Sequence, residues 1–306
     1  MTSENQQWLA EQFEANRGHL RGVAYRMLGS LNEADDAVQE SWLRLSRSDT
    51  SNVENLAGWL TVVVARVCLD MLRSRKARHE ESIDDEPAVQ TVDTGGIDPE
   101  SEVLLADSVG LALLVVLDTL TPAERIAFVL HDTFAVSFEQ IGSIVGRSAA
   151  AARQLASRAR RRVQGITSLP DAELRSHRQT VETFLAALRA GDFDGLVAVL
   201  DPDVVVRTDI PGAPPEIRGA RSWAKGAVAF SQLARFVQPA LINGTVGLVW
   251  APGGRLTRVL TFTIEDGKIV SVDVIADQER LHQIDLGVLD VAFPQKSETG
   301  FKPRIV

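Results

Sequence analysis

Six arginines and no acidic residue lie between Arg147 and Arg162 of a chain whose net charge is −9. Arginine suits two tasks on duplex DNA: bidentate pairing with a base edge and neutralisation of phosphates. In SFEQIGSIVGRSAAAARQLASRARRRV, residues 137–163, the spacing settles which side chains are free for them. Ser137 caps a first helix with Phe138, Ile141, Ile144 and Val145 on one face, and Gly142 is small enough for a close helix crossing. Gly146 supplies the turn. Ser148 caps a second helix whose stripe of Ala152, Leu155, Ala156, Ala159 and Val163 is to be buried, leaving Arg147, Arg153, Gln154, Ser157, Arg158 and Arg161 outward. This is a helix-turn-helix pattern with groove-reading chemistry on its outer face; a solvated arginine-rich helix in a bundle is the competing reading.

Helices of this kind need a domain around them, and composition bounds it. At 306 residues and 45% hydrophobic, the chain is long enough for two or three globular domains. No apolar run is long enough for a membrane span and no secretory signal is visible, so a cytoplasmic protein without membrane contact is expected. The single cysteine, Cys68, sits in the apolar run from Val62 to Leu69, which excludes disulfides within the chain and cysteine zinc sites and makes Cys68 a core residue. No metal, cofactor or catalytic constellation is expected.

Charge is segregated along the chain. From Glu80 to Asp107 there are ten acidic residues and no basic ones, with Pro87, Gly95, Gly96 and Pro99 interspersed, which reads as an acidic flexible linker over residues 80–107. A second break falls in GITSLPD, residues 165–171. The expected organisation is a helical domain over 8–79, the linker, a helix-turn-helix domain over 108–165, a third domain over 172–290 and a flexible tail over 291–306.

In the first domain, Phe13, Leu20, Val23, Ala24, Met27 and Leu28 recur at helical spacing up to Gly29. The segment NEADDAVQESWLRL, residues 32–45, begins acidic, as a helix N-terminus favours, and leaves Asp35, Asp36, Gln39 and Glu40 outward. The third pattern, residues 59–78, ends in a basic tail of Arg73, Arg75, Lys76 and Arg78, suited either to the helix dipole or to phosphates.

Taken together, the helix NEADDAVQESWLRL, the helix GWLTVVVARVCLDMLRSRKAR and the segment LTPAERIAFVLHDTFAVSFEQIGSIVGRSAAAARQLASRARRRV resemble an extracytoplasmic-function RNA polymerase sigma factor. The resemblance covers about residues 11–164. It implies that the first domain engages RNA polymerase core and the promoter −10 element, and that the helix-turn-helix reads the −35 element. Carried over, Asp35, Asp36, Gln39, Glu40 and Trp42 are candidates for core-polymerase binding. Residues 47–55 resemble the loop that receives an extruded −10 base, with Asn52 and Asn55 as hydrogen-bonding candidates. Arg66, Asp70, Arg73 and Arg75 lie on the helix placed against −10 DNA, although Asp70 could equally pair with a nearby arginine. Arg147, Ser148, Ala151, Arg153, Gln154, Ser157, Arg158 and Arg161 match the −35 helix. QIG stands where the family usually has EIA.

The third domain opens with an amphipathic helix, residues 178–190, followed by a shorter helix, a strand and a further helical segment. Three β-rich runs follow, PALINGTVGLVWA, RLTRVLTFTIEDG and KIVSVDVIAD, joined at Pro252-Gly253-Gly254 and Asp266-Gly267. That order resembles a SnoaL-like domain of the cystatin-like α+β cone, which some sigma factors of this family carry as a modulator in cis. The expected fold is therefore two all-α sigma domains, the second a helix-turn-helix, followed by an α+β SnoaL-like cone. The linker lacks a tryptophan-proline motif, and the loop after Asp209 is IPGAPPE rather than glycine-rich, both departures from the extended sigma factors. The cone is expected to act as an interacting or ligand-sensing domain, with a small-molecule ligand as its candidate partner. Asp209, Asp273 and His282 are the residues an enzyme reading would use as a base. Two alternatives stand beside the sigma reading: a helix-turn-helix repressor acting without core polymerase, and a SnoaL-like enzyme with a DNA-binding regulatory half.

Overall fold

A computed structural model of the protein describes residues 3–48, 53, 55–81, 110–252 and 255–289. The expected acidic linker from residue 82 on, Asn52, Gly253, Gly254 and the tail lie outside the described residues.

Three helices form the first domain: α1 (Ser3–Leu28), α2 (Leu31–Arg47) and α3 (Leu56–Glu81). Gly29 leaves α1 with a φ of 77°, a left-handed conformation costly for other residues, and Ser30 caps α2 by accepting from the Glu33 amide. The buried stripe of α2, Leu31, Ala34, Ala37, Val38, Ser41 and Leu45, packs on α1 and α3. Cys68 is fully buried there, and burial pushes its thiol up to about 12, from 9.0.

The helix-turn-helix domain comprises α4 (Leu111–Asp118), α5 (Pro122–Phe128), one π turn (Val129–Thr133), α6 (Phe138–Val145) and α7 (Ala149–Gln164). Thr121 and Glu124 form a reciprocal capping box at the start of α5. α4 is LALLVVLD, with six of its eight residues buried, so it needs cover on more than one side. One side is α7 and the other is the third domain.

That third domain contains α8 (Asp171–Ala190), α9 (Phe193–Val199), β1 (Leu200–Thr208), β2 (Glu216–Arg218), α10 (Ala220–Ala229), a 3-10 turn (Ser231–Phe236), β3 (Val237–Ile242), β4 (Thr245–Trp250), β5 (Arg258–Glu265), β6 (Lys268–Ile275), α11 (Gln278–His282) and β7 (Leu286–Gly287). The sheet order is β2-β1-β6-β5-β4-β3-β7, with β1 parallel to β6 and the other pairs antiparallel. Because side chains alternate across a strand, the sheet has two working faces. Leu248, Phe262, Val272 and Val206 face Val181 and Phe184 of α8, the cone interior. Ala240, Ile242, Val249, Val259 and Ile275 face the other way and join the cluster that runs through α4, α7 and the first domain. The two all-α domains and the α+β cone are thus present as expected. The run PALINGTVGLVWA, however, is a hairpin rather than one strand, turning at Asn243 and Gly244, whose φ values of 50° and 84° make the two-residue turn that Asn-Gly favours.

The Cys68 environment makes a prediction. The folded thiol holds its proton up to about 12 while the unfolded one releases it near 9.0. Stability should be unaffected below the unfolded value and should fall above it, by up to about 1.4 kcal/mol per pH unit. Cys68→Ala should remove that part of the slope in denaturant unfolding measured from pH 8 to 11, and thiol reagents at pH 8 should modify only unfolded protein. Equal slopes in the two proteins would contradict it.

Candidate nucleic-acid and polymerase interface

The recognition surface is built from the caps outward. Ser137 accepts from the Gln140 amide at 3.3 Å and Ser148 from the Ala151 amide at 3.2 Å, so both helices of the motif start where the sequence places them. Between them Gly146 takes a left-handed φ of 72°. Gly142 is where the two helices meet: a Cβ there would stand 2.6 Å from the Arg147 carbonyl oxygen. Ala152, Leu155, Ala156, Ala159 and Val163 are buried, which turns Arg147, Ser148, Arg153, Gln154, Ser157, Arg158 and Arg161 to solvent, with Ala151 half-buried among them.

These side chains are not equally free. Arg158 lies 3.6 Å and Arg162 3.7 Å from the buried Glu124 carboxylate, while Arg160 is paired with Asp132. Pairs with one exposed partner contribute on the order of 1 kcal/mol or less, so phosphates can compete for those arginines. Arg147, Arg153 and Arg161 carry no ion pair among the described residues.

On α2, Asp36 and Gln39 are exposed, Asp35 pairs with Arg21 of α1 at 2.7 Å and Glu40 pairs with Arg44 at 2.9 Å. Trp42 is half-buried, its ring 5.1 Å from that of Phe13. Gln39, Trp42 and Leu43 line, with Ala10, Phe13, Glu14 and Arg17 of α1, a groove of about 370 Å³. Glu14, Arg17 and Gln39 therefore rim an apolar slot formed by Ala10, Phe13, Trp42 and Leu43.

The residues expected at the −10 element are dispersed. Asn55 accepts from the Gly58 amide at 2.9 Å and so caps α3. Arg73 is exposed and carries no ion pair among the described residues; Asp70 lies 3.8 Å from Arg44, the pairing alternative. Arg75 turns inward, paired with Glu33, donating to the Leu28 carbonyl at 3.3 Å and lying 3.9 Å from Asp118. Arg66, exposed on α3, donates at 3.2 Å to the hydroxyl of Ser143 on α6. The helix expected at the −10 element, α3, is thus in contact with the helix-turn-helix itself.

That contact involves residues the sequence reading passed over. Phe134, just after the π turn, receives the His19 ring edge-on at 5.3 Å and the Arg26 guanidinium at 5.4 Å. Arg125 is 3% exposed; burial draws its guanidinium below the ordinary arginine value, and Asp118, at 3.0 Å, acts in the opposite direction. Asp118 thereby reaches both Arg125 and, through Arg75, the first domain. The Thr121-to-Glu124 spacing of a capping box was the available signal for the start of α5.

In the cone, none of the three residues considered as a base sits in a buried acid–base pair. Asp209 accepts from the Ala276 amide at 2.6 Å, the Asp277 amide at 3.2 Å and the Arg280 guanidinium at 2.7 Å, which pins the end of β1 to α11. Asp273 is half-buried, 4.0 Å from Arg207, and His282 is exposed. No cluster able to hold a metal ion occurs among the described residues, and no described helix is long and apolar enough to cross a membrane.

Gly142→Ala should destabilise the protein by about 1–3 kcal/mol, the usual cost of overpacking, because the obstructing atoms are backbone. Denaturant unfolding measures it; an unchanged midpoint would contradict the close crossing.

Comparison with known proteins matches residues 12–78 to Sigma-70 region 2 and residues 110–163 to Sigma-70 region 4. The ECF RNA polymerase sigma factor SigJ of Mycobacterium tuberculosis is 39% identical over 292 residues, spanning 88% of this chain and 92% of its own. The probable ECF RNA polymerase sigma factor SigI of the same species is 35% identical over 280 residues, spanning 88% and 93%. The crystal structure of SigJ aligns over 89% of this chain and 98% of its own, at 36% identity and a TM-score of 0.43.

Proposed function

Because the chain belongs to the extracytoplasmic-function family of RNA polymerase sigma factors, we propose that its free form is closed and that core polymerase opens it onto the promoter. A sigma factor of this family binds core polymerase and directs it to promoter DNA, so its place is the cytoplasm. Within that activity, we assign the α2 face and the Phe13–Trp42 groove to core polymerase, Arg73 and the exposed face of α3 to the −10 element, and the outward residues of α7 to the −35 element.

One observation carries the closed state: the hydrogen bond from Arg66 on the −10 helix to Ser143 within the helix-turn-helix. Elements whose names place them about 25 base pairs apart lie on the order of 80 Å apart along duplex DNA, at about 3.4 Å per pair. Two domains in hydrogen-bonding contact do not span that distance, so the contact must break in the promoter complex. Core polymerase, by engaging α2, supplies the free energy for separation.

The cone acts in cis through the helix-turn-helix domain. Its main contacts with that domain run from β3 and β7 to α4 and from β7 to α7. The Val288 amide donates to the Val163 carbonyl at 2.8 Å, the Ala112 amide to the Gln238 side chain at 3.2 Å and the Ser168 amide to the Gly244 carbonyl at 2.9 Å. At the junction two glycines meet backbone to backbone, and a Cβ on Gly287 would stand 2.7 Å from the Gly165 Cα. Since α4 is apolar on nearly every side, the docked cone supports the −35 domain rather than obstructing it.

The test is in vitro transcription with bacterial core polymerase on promoters selected from genomic fragments, comparing the natural chain with Gly287→Val. Core-dependent initiation is expected from the natural chain, and several-fold weaker initiation from the variant. DNA binding without initiation would replace this reading with a repressor; equal initiation by both proteins would reject the role given to the docked cone.

A further inference from the structure

Among the arginines of α7, Arg153 is held in a way the others are not. It is exposed and carries no ion pair among the described residues, whereas Arg158, Arg160 and Arg162 lean on Glu124 or Asp132. Its guanidinium carbon instead lies over the ring of Phe138, 5.0 Å from the centroid. Phe138 is the first residue of α6 and is stacked in turn on His131, with centroids 3.9 Å apart and planes inclined by 29°. His131 belongs to the π turn, and its Nδ1 lies 3.1 Å from the Val136 carbonyl. A carbonyl only accepts, so Nδ1 carries the proton and the ring orientation is fixed. The wider π turn, the histidine, the phenylalanine and the arginine therefore form one stack, running from the backbone of the domain to its DNA-facing surface.

We propose that Phe138, backed by His131, is a positioning residue that sets sequence preference at the −35 element through Arg153; this rests on the reading of α7 as the −35 helix. Arginine is a long side chain with many rotamers, and ordering it at the moment of binding opposes recognition. A ring beneath the guanidinium narrows that choice beforehand while leaving its N–H donors unspent. Arg153 is the fifth residue of α7, in the part of a recognition helix that meets base edges, where a positioned guanidinium pairs in bidentate fashion with the two acceptors of a guanine. An arginine that only neutralised phosphate would need no such orientation. The stack thus gives Phe138 and His131 an indirect share in choosing the promoter, although neither need touch DNA.

The experiment uses holoenzyme assembled from the full chain and core polymerase, and promoters in which each −35 base pair is changed in turn. Arg153→Ala identifies the pair that Arg153 reads, as the position whose penalty disappears. Phe138→Leu should reduce the penalty at that same pair by roughly two- to fivefold, the factor equivalent to 0.5–1 kcal/mol of cation–π attraction. The other positions and the salt dependence should not change, and Phe138→Tyr, which keeps the ring, should keep the preference. In the Arg153→Ala background Phe138→Leu should add nothing. A uniform loss at all positions, an unaltered preference, or additive effects in the double variant would overturn the proposal. A natural holoenzyme indifferent to every −35 pair would instead overturn the −35 reading of α7, and the proposal with it.

Discussion

α4 cannot be left half covered. Its sequence LALLVVLD buries Leu111, Ala112, Leu114, Val115, Val116 and Leu117, so apolar surface points around most of its circumference. Exposing one such side chain costs about 1.5–3 kcal/mol, and α4 meets this by lying between α7 and the back of the cone sheet, against β3 and β7. The cone therefore cannot be regarded as a module hung on a flexible connection. Its outer sheet face, with Ala240, Ile242, Val249, Val259 and Ile275, is continuous with the core of the helix-turn-helix domain. Moving the cone means re-covering α4, which is the physical basis of the control in cis proposed above.

The contact between the two sigma domains is of a different kind. It combines buried packing between α3 and the segment from α5 to α6 with polar links that are partly open to water, such as Arg66 to Ser143 and Arg75 to Asp118. Exposed polar links are individually weak, commonly below about 1 kcal/mol, and easily exchanged for water or phosphate. In the closed form proposed above, the joint between α4 and the cone is the one that stays shut, and the joint between α3 and α6, which adds these exchangeable polar links to its packing, is the one that opens. On that proposal, opening would uncover the α3 face and free Arg66 from Ser143 for a promoter phosphate. The glycines follow the same division. Gly165 and Gly287 permit the close backbone approach at the cone, whereas the Arg66 and Ser143 side chains link α3 to α6.

Amphipathic helices carry the instructions for their own faces, which is why Ser137, Ser148 and the stripe from Ala152 to Val163 were legible in the sequence, caps included. The outward set on α7 follows from the same periodicity. Interfaces between domains carry no such period. Nothing local to Arg75 shows that it turns toward Glu33 and Leu28, and nothing local to Phe134 shows that His19 and Arg26 will meet it. Asn55 was read for its hydrogen-bonding capacity, and the structure spends that capacity on capping α3. In the cone the Asn243-Gly244 turn was passed over, and the apolar residues on both sides read as a single run because strands buried on both faces lose their alternation. The π turn widens the backbone by one residue per bond, a shift that leaves no compositional mark, and with it the stack beneath Arg153 stayed hidden.

The closed form depends on the contact between α3 and α6. Spin labels placed at Ala15→Cys in α1 and Glu139→Cys in α6, both exposed positions, would report the separation of the two sigma domains, since the buried native thiol of Cys68 is shielded from labelling. Pulsed electron–electron distance measurement should give one short, narrow distribution for the free protein and a much longer one in the complex with core polymerase and promoter. The same distribution in both states, or a broad long one in the free protein, would contradict the claim that the free form is closed and that polymerase opens it.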